Sequence, residues 1–448
     1  MAVTDPLRAS IGELGAALRA RQFSIRELVD SHLERLGEVN PKINAFRLSD
    51  AEGARAAAAA LDSELAAGKM RSALHGIPIT VKDLFATRGQ RTTAGSLILR
   101  DRITDDDAEV VANLRTAGAV ILGKTSMDEF AFSPTGLNAH YGPVRNPWDT
   151  NRVTGGSSSG AAAALAAGVG AGALGSDTGG SVRLPAALCG VVGFKPSYDR
   201  LSRRGAFPLS WSLDHPGVFG RSVTDIGAMY DCAASGEHRL GELRAPAARE
   251  LRCGVMEEYC GEVDGEVGAR WDEFIRAITA AGVRVTAVTP KKLKLVIAAS
   301  TAIMFAEAAA VHRQWLATRR EDYGAPIRMR LLQGALIPAT TYLRALQLRR
   351  AIADEIGALF ETLDCLICPT NSTVAVPIES VDAKTGGRMI RNTRLAPLLG
   401  IPAISLPIPG RGLPVGAQLM GPAGGDARLL AAAAAVEGII GPAPAAPL

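Results

Sequence analysis

Neither sign of charge dominates this chain of 448 residues: 49 lysines and arginines against 45 acids leave a formal net charge of +4. That excess is too small and too dispersed for a nucleic-acid surface, so no direct nucleic-acid contact is expected. No stretch offers 18 uncharged, strongly apolar residues free of glycine breaks, which argues against a membrane span. The amino terminus, MAVTDPLRASIG, lacks the apolar centre of a signal peptide. A soluble cytoplasmic protein is therefore expected. Cysteine is sparse: Cys189, Cys232, Cys253, Cys260, Cys365 and Cys368 lie scattered, and only the last two form a C-x-x-C. No second pair and no histidines at ligand spacing accompany them, so neither a metal nor any other cofactor is expected. The segment Leu363–Pro369 reads instead as a buried strand with its two thiols on opposite faces.

What is present is an ordinary globular composition, 47% hydrophobic and 21% charged, enough for a sizeable core. Helical periodicity runs from Ile11 to Leu36, with Ser24 and Glu27 at capping-box spacing where a second helix starts, and Asn40-Pro41 expected to end it. A helix at Ala108–Gly118 leads into a buried strand at Ala119–Gly123, the rhythm of right-handed crossovers in an α/β sheet. A peripheral βαβ excursion is expected over about 245–290. The proline-rich end, 441–448, is expected to be a flexible tail. No internal repeat is visible.

The chain is organised around Thr154–Pro196, TGGSSSGAAAALAAGVGAGALGSDTGGSVRLPAALCGVVGFKP. Two glycine–serine turns, Gly155–Gly160 and Asp177–Ser181, flank a middle without any charge. A flexible linker would carry polar residues there, and Ala161–Ala167 is strong helix-forming sequence. The segment reads as core, with serine in each turn. A serine hydroxyl needs a base to attack a carbonyl. The histidines, His32, His75, His140, His215, His238 and His312, all lie outside both turns, and nothing points to a Ser–His–Asp set. Lysine is the other option. Ile77, Ile79 and Val81 alternate with Pro78, Thr80 and Lys82, so Lys82 ends an apolar strand. Burial there would disfavour its charged form.

These residues together resemble the amidase signature family. Lys82 lies 75 residues before Ser157, and Ser157 lies 24 before Ser181, the intervals of that family's lysine, cis-serine and nucleophilic serine. The resemblance runs from about Ser24 to Gly421. It implies an α/β fold with a mixed, twisted central sheet covered by helices on both faces, and a single domain over 1–448 with its signature core at about 70–230. It implies Ser181 as nucleophile and Ser157, behind a cis peptide, as the bridge to Lys82. The backbone N–H groups of Thr178, Gly179, Gly180 and Ser181 would form an oxyanion hole. Ser158, Asp177 and Arg183 would support the loop, the last two as an ion pair. Met127 is either a substrate contact or ordinary core. Asp83 is expected to point away from Lys82, whose pKa it would otherwise raise.

The function expected from this resemblance is hydrolysis of a small carboxamide through a serine acyl-enzyme, by a chain acting alone or as a homodimer. One alternative is the glutaminase chain of a tRNA-dependent amidotransferase. Another is a catalytically silent scaffold. The amidotransferase chains hold the glutamine ammonium with an acid shortly before the counterpart of Gly400-Ile401-Pro402. Here Met389–Arg394 contains no acid and two arginines, Arg391 and Arg394. That departure favours a stand-alone amidase for an aliphatic, aryl or carboxylated amide.

Overall fold

A computed structural model describes residues 3–240 and 244–448. Its centre is one mixed sheet of eleven strands. In chain order they are β1 (Phe46–Ser49), β2 (Pro78–Lys82), β3 (Val120–Thr125), β4 (Gly172–Asp177), β5 (Val192–Lys195), β6 (His215–Gly220), β7 (Arg252–Met256), β8 (Arg284–Val288), β9 (Cys365–Pro369), β10 (Ala403–Ile408) and β11 (Val415–Met420). Across the sheet they run β1-β3-β2-β4-β6-β5-β10-β11-β9-β7-β8. The pairs β3–β2, β2–β4, β9–β7 and β7–β8 are parallel, and the others antiparallel. Helices cover both faces, so the inner strands are buried along their whole length rather than on alternate residues. The expected fold class is the one observed.

Both amino-terminal helices, Ile11–Arg19 and Ile25–Ile43, start at complete capping boxes, on Ser10 with Glu13 and on Ser24 with Glu27. The second helix does not stop at Asn40-Pro41. It runs through Pro41 to Ile43 and ends at Asn44 in the left-handed conformation. A proline so close to the end removes a single helical hydrogen bond, and the Asn44 N–H still closes the last turn on the Asn40 carbonyl at 2.8 Å.

The βαβ excursion does not stand apart. Its strands β7 and β8 extend the central sheet as its last two members, with β7 in register against β9. This pairing brings the Cys253 and Cys365 sulfurs to 3.5 Å, while Cys368 takes a hydrogen bond from Gln418 Nε2 at 3.2 Å. The two thiols of the C-x-x-C thus have separate neighbours, and all six cysteines are free. The carboxy-terminal segment, expected to be a flexible tail, lies against the body instead. Arg8 donates to the Ala446 carbonyl at 3.0 Å, and Ala446 is buried in a small cluster with Ala161, Val182 and Cys189. An alanine side chain can fill such a niche at little entropic cost.

Among the described residues one helix, Leu293–Thr318, is apolar and long enough to cross a membrane by composition alone. Half of it is buried inside the fold, and it carries the buried Glu307 and His312. Glu307 accepts hydrogen bonds from Ser210 Oγ (2.7 Å), Ser212 Oγ (2.7 Å) and Tyr342 Oη (2.9 Å). This places the helix as a wall over the 205–214 loop.

Candidate active site

The uncharged middle of the organising segment is core, as expected. The helix Ser159–Ala166 has every residue buried. Its small side chains let it sit against its neighbours, and a Cβ at Gly160 would collide with the Ala45 and Ser126 backbones. That helix fixes the first glycine–serine turn at its amino end. Strand β4 fixes the second turn at its carboxyl end. Ligands in open α/β sheets gather at such ends.

Strand β2 lies between β3 and β4, and carries Lys82 into the space under both turns. The Lys82 Nζ is 2.8 Å from Ser157 Oγ, 2.9 Å from Ser158 Oγ and 2.8 Å from Ser176 Oγ. Lys82, Ser157 and Ser158 are completely enclosed, whereas Ser181 keeps 8% of its surface exposed. The peptide bond between Gly156 and Ser157 is cis. The two turns are tied together by the Ser158 N–H, which donates to the Ser181 carbonyl at 3.2 Å.

Burial pushes the Lys82 ammonium down to about 7, against the pull of Asp128, Asp177 and Asp214. None of those carboxylates is a hydrogen-bond partner of Lys82; its three partners are hydroxyls. Asp83 points away, as expected: it faces Lys124, 3.3 Å from that ammonium, and accepts from the Thr93 N–H at 3.1 Å. A neutral lysine has two N–H bonds and one lone pair. The Ser158 hydroxyl already donates to the Ser176 carbonyl at 3.1 Å, so the hydrogen that fills the lone pair must come from Ser157 or Ser176.

Asp177 and Arg183 form a fully buried ion pair at 2.9 Å. Burial alone would raise the Asp177 carboxyl, but the Arg183 guanidinium reverses this and holds it at about 2. Arg183 also bonds Gln418 and the Thr393 carbonyl. The Asp177 carboxylate accepts from the Gly180 N–H at 2.8 Å and the Val182 N–H at 3.2 Å. This corrects one expectation: the Gly180 N–H is not available to an oxyanion. Among the described residues, the N–H groups of Gly179 and Ser181 have no acceptor within the protein. Gly180 is required for another reason. It has a φ of +127°, and a Cβ there would run into the Thr393 side chain.

Met127 resolves toward core. It is buried in the main cluster and lines neither cavity beside Thr178, and its carbonyl accepts from Asn138 Nδ2 at 2.9 Å.

Two cavities, each of about 250 Å³, flank Thr178. One opens on Ser181 and Gly179 and is walled by Phe132, Met304, Arg330 and Arg394. The other reaches Ser176 and is walled by Phe85, Phe207, Asp214 and His215. Sequence reasoning missed Ser176, Thr393 and Arg330. Ser176 is placed by strand pairing: Val81 pairs with Leu174 across β2 and β4, which sets the end of β4 beside Lys82. Thr393, whose hydroxyl donates to the Gly179 carbonyl at 2.7 Å, lies more than two hundred residues away in the chain, and no local pattern announces it.

The amidase family matches residues 27–430 of this chain. A curated relative, the A subunit of glutamyl-tRNA(Gln) amidotransferase from Acidothermus cellulolyticus, is 37% identical over 97% of this chain and 95% of its own length. Its namesake from Azoarcus sp. is 39% identical over 95% and 97% respectively. A crystal structure of an amidase superposes with a TM-score of 0.90 at 35% identity, covering 97% of this chain and 100% of that one. Matched in sequence over most of its length and in fold over nearly all of it, this chain belongs to the amidase family, the amidase signature enzymes that cleave carbon–nitrogen bonds.

Proposed function

We propose that the chain hydrolyses a carboxamide through an acyl-enzyme on Ser181, with Ser157 as proton relay and Lys82 as base. The observation that carries this reading is the buried Lys82 Nζ, ringed by three serine hydroxyls beneath the loop that presents Ser181. As the Ser181 oxygen attacks the carbonyl carbon, its proton passes to the Ser157 oxygen and the Ser157 proton to Lys82. The carbonyl oxygen takes the negative charge, facing the Gly179 and Ser181 N–H groups. When the C–N bond breaks, Lys82 returns the proton to the departing nitrogen through Ser157. Water then follows the same path and releases the acid.

For the amide itself, the names of the curated relatives support the glutaminase chain of a tRNA-dependent amidotransferase over the stand-alone hydrolase of a small amide. That reading gives the chain partner subunits and makes glutamine its substrate. One observation favours the second reading. Among the described residues no carboxylate lines the cavity at Ser181, so a glutamine ammonium would meet no counter-charge there.

The test is ammonia release from glutamine and from a panel of aliphatic, aryl and carboxylated amides, by the chain alone and with candidate partner subunits. Release from a non-glutamine amide by the chain alone supports the hydrolase. Glutamine-only release, or release that depends on a partner, supports the amidotransferase. Activity should also rise with pH through about 7, because Lys82 must lose its proton before it can accept one. A flat rate from pH 5 to 10 with chemistry rate-limiting would remove Lys82 from the base role.

A further inference from the structure

The helix Ala325–Ala335 is apolar on two sides. Its inner seam, Ile327, Leu331 and Gly334, is buried against the Leu293–Thr318 helix, where a Cβ on Gly334 would run into the Phe305 carbonyl. Its outer seam is Ala325, Met329, Leu332 and Leu336, spaced by four, three and four residues. On that seam Met329 is 58% exposed, Leu332 38% and Leu336, at the carboxyl cap, 82%. Leu343, near the start of the following helix Ala339–Leu359, is 57% exposed. Single apolar residues on a surface are ordinary, but a helix that is apolar on both sides is normally enclosed on both. Alternation of four and three is the spacing by which one helix seats on another. The same helix turns Arg330 and Gln333 into the cavity at Ser181, so the bare seam is the outer side of that cavity's wall.

The charge around the seam has one sign. Between Asp322 and Asp354 the chain carries five arginines, Arg328, Arg330, Arg344, Arg349 and Arg350, and neither a lysine nor an acid. At the two edges Arg328 pairs with Glu321, and Arg350 with Asp354 at 3.1 Å. Arg344, next to Leu343, is exposed, donates to Gln347 at 3.4 Å and, among the described residues, pairs with no acid. These features decide between occupants. A second copy seated seam to seam would bring the same arginines toward each other, a like-charge contact that disfavours the pairing. A surface that faces a bilayer carries tryptophan or tyrosine at the headgroup level. Here the only aromatic residue between Gly324 and Leu359 is Tyr342, and its hydroxyl is tied to the buried Glu307 at 2.9 Å. A helix with its own apolar seam and acidic flanks meets both the spacing and the charge.

We propose that the outer seam of Ala325–Ala335, continued by Leu343 and Arg344, is a docking site for an acidic amphipathic helix of a partner protein. The proposal is independent of which amide the chain hydrolyses.

The test uses the full chain and two synthetic three-heptad peptides labelled with fluorescein. Both carry leucine at the seam positions; one has glutamates on the flanks and the other lysines. Read by fluorescence anisotropy, the glutamate peptide should bind at least about 10-fold more tightly than the lysine peptide, and added salt should narrow that difference. The double variant Met329→Glu/Leu336→Glu should weaken the glutamate peptide at least about 10-fold, since it removes two apolar anchors and adds two like charges. Both side chains are exposed, so its melting temperature should stay close to that of the wild type. Should that variant fail to fold, Arg344→Glu decides: it should cut the preference for the glutamate peptide by at least about threefold. No binding of either peptide, equal binding of both, or binding that the variants leave unchanged overturns the proposal. Sedimentation velocity and flotation with vesicles of phosphatidylcholine and phosphatidylglycerol test the other occupants. A dimer that Met329→Glu/Leu336→Glu dissolves would give the seam to a second copy, and vesicle binding lost in that variant would give it to a bilayer; either result overturns the partner helix.

Discussion

Replacing Ser181 with alanine is expected to lower amide hydrolysis by about 10⁴-fold or more, with the melting temperature nearly unchanged. The hydroxyl is partly exposed at the mouth of a cavity, so its removal leaves no buried group without a partner. Ser157→Ala and Lys82→Met should approach the same loss, because each interrupts one proton path. The double variant Ser157→Ala/Ser181→Ala should then be scarcely slower than either single variant. Such non-additivity marks residues that act as a unit. Steady-state ammonia release, read beside thermal melts of each variant, checks this. A Ser181→Ala protein that keeps a tenth of the wild-type rate would exclude the acyl-enzyme on Ser181. Losses that simply multiply would exclude the shared proton path.

Arg183→Met is expected to destabilise the fold by about 3–5 kcal/mol, the usual effect of leaving one member of a buried ion pair alone. The Asp177 carboxylate is fully buried, accepts from two backbone N–H groups of the loop that carries Ser181 and depends on this guanidinium for its charge. The variant also removes the links from Arg183 to Gln418 on β11 and to Thr393, so activity should fall with stability. Removing both charges together, as Arg183→Met with Asp177→Leu, should recover part of the stability but not the activity, since the loop loses the anchor that Asp177 gives it. The midpoint of urea unfolding for each variant is the measurement. A shift worth less than about 1 kcal/mol for Arg183→Met would show that the pair does not carry the loop. The pH dependence has a definite sign. Asp177 falls from 3.8 to about 2 on folding, so its contribution, about 2 kcal/mol, is fully present above pH 3.8. It is lost as the pH falls through 2.

Much of this site was legible along the chain because its central parts are local. Glycine–serine turns announce backbone that must bend sharply, and an apolar alternation ending in Lys82 announces a buried strand. Both are set by short-range sterics and periodicity. The capping box at Ser24 is local for the same reason. The intervals between Lys82, Ser157 and Ser181 added the family. Where local reasoning failed, longer-range contacts were in control. Pro41 did not end its helix, because one missing N–H near a terminus is a small loss. The carboxy-terminal segment found a niche that only the folded body provides.

The order of residues set the chemistry available: two serines on glycine turns, a lysine on an apolar strand, and no acid from Met389 to Arg394. How those groups meet was left to the folded arrangement. Strand pairing put Ser176 beside Lys82, and the Gly180 N–H went to the Asp177 carboxylate. Packing sent Arg391 to Glu262 and left Arg394, among the described residues, without an acid beside the loop that carries Ser181. The reason is physical. Turns and strands are specified by neighbours in the chain, but a side chain's solvent exposure and charge partners depend on segments that are distant in sequence and adjacent only after folding.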